Sequence, residues 1–205
     1  MKKQLVYIHG GQAYSKYGVF LEHLRTVPIE DPLGEQVVKR WKHSLKEELF
    51  DTHEVYMPSM PNSQNAKYEE WKIWFLRYFQ FLRDDVVLMG HSQGGYFLVK
   101  YLTENSPPMR VKALYLLGTP FGPDDFGGED GGDFAFDTKN LSKLTEHVEH
   151  IRILHSEDDF VVPFSHAQEF QKALPGADFV FFKDKNHFLL ETFPELIEHI
   201  KSRGY

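Results

Sequence analysis

The chain has 205 residues, 41% of them hydrophobic and 15% aromatic, with a net charge of −7, enough for one well-buried core and short for two, so residues 1–205 are expected to form a single domain. The acidic balance argues against nucleic-acid binding, which needs a basic surface, and the absence of cysteine excludes a disulfide framework and a thiolate metal site. No run of about 18 apolar residues is present to cross a membrane, and the apolar stretch Leu5 to Ile8 is too short for a signal peptide, so a cytoplasmic protein is expected.

In chain order, Gln4 to Ile8 reads as a buried strand stopped by His9-Gly10-Gly11. A loop or short helix then carries Phe20, Leu21 and Leu24. Val37, Val38, Trp41, Leu45 and Leu49 recur at three- and four-residue steps and predict a helix from about 35 to 50. Glu54 to Met57 is a short strand closed by prolines. A helix from about 66 to 82 puts Tyr68, Trp71, Phe75, Tyr78 and Leu82 on one stripe, which reads as core. Val86 to Met89 is a strand and Tyr96 to Thr103 a helix; Val111 to Leu117 is the next strand. Residues 119–137 are an insertion with six acids among Phe121, Phe126, Phe134 and Phe136. It reads either as a mobile acidic loop or as a partial lid over a pocket. Helical spacing resumes at Leu141 to Val148, followed by a strand at Ile151 to Leu154, a helix at Ser165 to Ala173 and a strand at Phe179 to Phe182. The closing helix is announced by a capping box, Thr192 to Glu195. Six strands alternating with helices predict an α/β fold, a mostly parallel sheet covered on both faces.

The chemistry centres on Gly90-His91-Ser92-Gln93-Gly94-Gly95, set between a strand and a helix. In that setting G-x-S-x-G forms a nucleophile elbow, a tight turn that projects the serine hydroxyl from the sheet. Gly90 and Gly94 are expected where side chains would strike neighbouring backbone. Gln93 opens the helix, so its N–H lacks a helical partner and can bind a developing oxyanion. A serine hydroxyl needs a base, and the base needs a carboxylate to fix its tautomer. Two later strand ends supply them in the order Ser, Asp, His: one runs into His155 to Asp159, with Asp158 and Asp159 both open as the acid, and the other into Lys183 to His187.

Gly90-His91-Ser92-Gln93-Gly94-Gly95, Asp159-Phe160-Val161-Val162-Pro163 and the late His187 together resemble the α/β-hydrolase superfamily. The opening strand before His9-Gly10, and Met60-Pro61-Asn62 followed by Trp71, are similar to its small serine-hydrolase branch related to retinoblastoma-binding protein 9. The resemblance implies Asp159 as the acid, through its spacing to Val162-Pro163. It also implies His187 as the base, and Gly11 as partner to Gln93 in the oxyanion hole. Asn186 stands where many relatives carry Gly before the histidine, and Asn tolerates the left-handed region.

The expected activity is cleavage of a small-molecule carboxylic ester or amide through an acyl-Ser92 intermediate. No cofactor, metal, nucleic acid or membrane takes part in it. The alternative is a protein of this fold that binds a partner with little turnover. Of the remaining histidines, His9 is expected to shape the oxyanion loop and His91 to support the elbow from behind. A metal site on His147 and His150 is not expected, because Glu146 and Glu149 suit a solvated helix face.

Overall fold

The computed structural model describes residues 1–122, 130–203 and 205. Six strands form one sheet: β1 (Lys3–Ile8), β2 (His53–Tyr56), β3 (Val86–His91), β4 (Val111–Leu117), β5 (Val148–Ser156) and β6 (Asp178–Phe182). Their order is β2-β1-β3-β4-β5-β6, and every pairing is parallel. Parallel strands need crossovers, and crossover helices cover both faces, so the central strands are continuous apolar runs rather than alternating ones. All six residues of β3 are buried.

The two-residue period of a strand divides the core. Val6, Ile8, Val86, Leu88, Leu114, Leu116, Ile151 and Ile153 face one layer. That layer is built on α3 (Tyr68–Leu76), α4 (Gln93–Glu104) and α6 (Ser165–Ala173), through Trp71, Phe75, Phe97 and Phe170. Leu5, Tyr7, Val87, Met89, Ala113, Tyr115 and Leu117 face the other, with Trp41, Leu45, Phe193, Ile197 and Ile200. The last three lie on or beside α7 (Pro194–Arg203). The sheet thus carries helices on both faces, as the alternation of elements predicts.

Four helix boundaries depart from the sequence pattern. The helix expected over 35–50 exists only in its second half, as a 3₁₀ turn at Trp41–His43 and the short α2 (Leu45–Glu48). Before Trp41, the Asp31 carboxylate accepts from the N–H groups of Glu35 and Gln36 at 3.2 and 2.9 Å, a local turn that competes with helix. Val37 and Val38 are 85% and 50% exposed, so no core contact offsets their poor helix propensity. Helix α3 ends at Leu76, and Phe79–Phe81 form a separate 3₁₀ turn. Residues 138–143 are 3₁₀ and α5 (Leu144–His147) is a single turn, because Val148 already belongs to β5. His147 and His150 therefore share no helix face; His150 stacks on Tyr205 instead. Helix α7 begins at Pro194, which leaves Thr192 outside the cap position, while Glu195 turns to Lys185 at 2.9 Å.

The described parts of 119–137 are tied to the body. Phe134 and Phe136 are buried, Phe134 against Trp71 and Tyr68, and Phe121 packs on Phe170. Asp130 accepts from Ser15 N and Oγ at 2.7 and 2.6 Å, and Asp133 accepts from Tyr68 N at the start of α3. Asp137 caps the following 3₁₀ turn. Phe126, Asp124, Asp125 and Glu129 lie outside the described residues. Between β1 and β2, by contrast, α1 (Tyr17–Thr26) buries no residue.

Candidate active site

Ser92 sits between β3 and α4 with φ 54° and ψ −123°, a conformation that L-residues adopt only when their surroundings impose it. The surroundings are backbone. A Cβ on Gly90 would lie 2.5 Å from Gly95 Cα, and one on Gly94 would strike the carbonyl oxygens of Ile8 and His9. A Cβ on Gly95 would strike a side chain instead, that of Thr119. Only hydrogen side chains let the turn press against the end of β1. Ser92 N donates to Leu117 O at 2.8 Å, which ties the elbow to β4. Gln93 is the first residue of α4, so its N–H lies in the unsatisfied first turn at the positive end of the helix dipole.

The ends of β5 and β6 converge beside it. His187 Nδ1 donates to Asp159 Oδ2 at 2.8 Å, and both side chains are buried. Asp159 Oδ1 accepts from the N–H groups of Val161 and Val162 at 2.9 and 2.8 Å, so the carboxylate is fixed by its own loop. His155, fully buried, approaches Asp159 Oδ2 at 3.6 Å and bonds Val162 O at 2.8 Å through Nε2. Burial holds its pKa below the ordinary histidine value.

Asp158 faces the other way. Its Oδ1 accepts from Ser156 Oγ at 2.5 Å and from Asn186 N at 2.8 Å, and Ser156 Oγ in turn accepts from Lys185 N. The Ser156 hydroxyl, chiefly, keeps the exposed Asp158 carboxyl below its usual pKa. One member of the adjacent pair thus holds the histidine ring and the other holds the histidine loop. The loop is bent on both sides of His187: Asn186 has φ 42° and Phe188 φ 53°. His91 Nε2 donates to His187 O at 2.9 Å, and burial pushes His91 down to about 3, so it is a neutral donor behind the ring.

The opposite wall is the loop after β1. His9 Nε2 accepts from Met60 N at 2.9 Å, which leaves Nδ1 to donate to Gly10 O at 2.6 Å. Gln12 N is committed to Ser63 O at 2.8 Å, whereas no hydrogen bond from Gly11 N is made among the described residues. A Cβ on Gly11 would lie 2.7 Å from Ser63 O and 3.3 Å from the Trp71 ring. Gly10, Gly11, Gln12, Lys42, His91, Ser92, Val161, His187 and Leu189 line one cavity of about 290 Å³.

The structure therefore brings Ser92, Gly11 and His187 to one cavity and joins His187 to Asp159. Gln93 is buried at the helix start beneath them. No hydrogen bond joins Ser92 Oγ to His187 among the described residues, a bond that often tightens only with substrate bound. The sequence pattern did not mark Gly118 (φ 50°), where a Cβ would meet His187 Nδ1 at 3.1 Å and Asp159 Oδ2 at 3.2 Å. Its place directly after β4 was the available signal. Nor did the pattern mark His155, whose position at the end of β5 carries no spacing rule.

A family model described as serine hydrolase matches residues 33–198. No curated protein matches the sequence. Among solved structures, the ydeN gene product from B. subtilis aligns with a TM-score of 0.74 at 20% identity over 98% of both chains. The esterase domain of a Rhodothermus marinus protein aligns at 0.61, with 16% identity over 98% of this chain and 84% of that one. Est1E from Butyrivibrio proteoclasticus with ferulic acid bound aligns at 0.60, with 16% identity over 98% of this chain and 87% of that one. At such identities the likeness is one of fold, and the fold is that of the α/β-hydrolases.

Proposed function

Because the chain belongs to the serine hydrolase family, we propose that it cleaves a carboxylic ester, or an amide, through an acyl-Ser92 intermediate, with the whole chain acting as one catalytic domain. His187 Nε2 takes the Ser92 Oγ proton as Oγ bonds to the carbonyl carbon. Asp159 holds the ring tautomer that frees Nε2 and stabilises the imidazolium that forms. The N–H groups of Gln93 and Gly11 receive the oxyanion, where preorganised donors act most strongly. His187 returns the proton to the leaving group, the alcohol oxygen of an ester or the amine nitrogen of an amide, and water then releases the acid by the same route.

One observation carries this reading: a serine in an imposed left-handed turn shares a cavity with a histidine whose other nitrogen donates to a buried carboxylate. The test is labelling by a fluorophosphonate, followed by a series of p-nitrophenyl esters of increasing chain length. Labelling at Ser92 and turnover of at least one ester are expected. An unlabelled Ser92 in folded protein overturns the reading.

A further inference from the structure

One cation in the cavity is not used by the mechanism. Lys42 lines it beside Ser92, His187 and Gly11, and it is only partly exposed. Among the described residues its ammonium has no carboxylate partner. The charge it feels is Arg40, a like charge, and it in turn disfavours protonation of His9 and His91. Burial and Arg40 both lower its pKa. Among the described residues, no Asp or Glu lines the cavity.

Surface lysines without partners are ordinary; Lys42 differs in how it is held. Trp41, the residue before it, is buried and donates from Nε1 to Phe188 O and from its backbone N to Leu190 O, both at 3.0 Å. Its ring packs edge-on against Tyr7 and Phe193. The backbone of Lys42 is thereby fastened to the loop that carries His187. A half-buried lysine on a backbone so fixed, with no carboxylate partner among the described residues, can supply charge-assisted donors to whatever occupies the cavity.

Building on the hydrolase reading above, we propose that the substrate carries an anionic group, a carboxylate or phosphate beyond the scissile bond, and that Lys42 selects it. In the family's chemistry nothing at the scissile carbonyl needs this charge, so its effect falls on recognition. An ionised group bonded to an ammonium in such a place is expected to favour the charged substrate by about ten- to a hundredfold over a neutral isostere.

The experiment compares mono-p-nitrophenyl glutarate with its methyl ester, taking the ratio of their kcat/KM values within each protein so that general losses cancel. In parallel, calorimetry compares monomethyl glutarate with dimethyl glutarate on Ser92→Ala protein, which needs no turnover. The wild type should prefer the anion in both. Lys42→Met should bring both ratios to near one, Lys42→Arg should keep most of the preference, and Lys42→Glu should reverse it. Equal ratios in wild type and Lys42→Met overturn the role of Lys42 and leave the hydrolase reading standing. Anion-selective binding with no turnover of any ester sinks the hydrolase reading and leaves Lys42 as an anion-recognition residue.

Discussion

The two walls that flank Ser92 are built differently. The wall of β5 and β6 is a network of side chains: Asp159 on His187, Asp158 on the backbone of Asn186, His91 on the carbonyl of His187. The wall after β1 is mostly backbone, with Gly10, Gly11 and Gln12 held by a turn at residues 59–66 and one histidine. Polar side chains can be exchanged for close isosteres, so the first wall can be dismantled one hydrogen bond at a time. The second has few side chains to remove and yields only to added bulk.

Ser92→Ala touches neither wall and should give the largest effect. Loss of the nucleophile is expected to cost about 10⁴-fold or more in kcat on the best ester. Circular dichroism should remain unchanged, since Ala removes only the hydroxyl.

The adjacent acids then divide the first wall. Asp159→Asn should lower kcat by about 10⁴-fold, because the amide no longer fixes the productive tautomer. Asp158→Asn should stay within about tenfold, since an amide oxygen can still accept from Asn186 N, and tenfold is about 1.4 kcal/mol of barrier. Reversed results in a kcat comparison would exchange the roles of the two adjacent carboxylates of the first wall.

Gly11→Ala probes the second wall. Its Cβ would lie 2.7 Å from a backbone oxygen that is itself held by Gln12, so the loop must shift. A displaced oxyanion donor is expected to lower kcat about 10²-fold with KM little changed. A variant with wild-type kcat would show that the second wall does not supply that donor.

The smallest effect separates the walls by acidity. His91 is pushed down to about 3 in the folded chain by burial, against an ordinary value near 6.5. Between those values the unfolded chain binds the proton and the folded one does not, so stability falls as pH drops through this window. At pH 5 the loss from this residue is about 2 kcal/mol. His91→Gln should flatten the dependence of urea midpoints on pH between 6.5 and 5, provided its amide N–H replaces the bond to His187 O. An equally steep profile in the variant would assign the acid sensitivity elsewhere, for example to His53 and His199, both lowered to about 4.

The same contrast explains what the sequence made legible. Apolar runs closed by glycine, proline or polar residues marked all six strands; the central ones were plainest, because parallel strands buried on both faces leave an uninterrupted pattern. The residues of the candidate site that carry reactive side chains stood out by type and order at strand ends. Residues acting through shape did not. Gly118 and the bent Phe188 are defined by what lies opposite them in space, and no spacing rule encodes that. The 35–50 segment misled because periodicity records a face without saying that anything packs on it; Trp41, Leu45 and Leu49 found the sheet, and Val37 and Val38 did not.

The clasp between Trp41 and Phe188 joins residues 147 positions apart. Closing so long a loop is entropically costly, and such non-local contacts form slowly compared with local helices. In refolding from urea, the cavity that holds Ser92, Lys42 and His187 should therefore be assembled after most of the sheet. Recovery of turnover should rise behind the far-ultraviolet signal of the strands and helices.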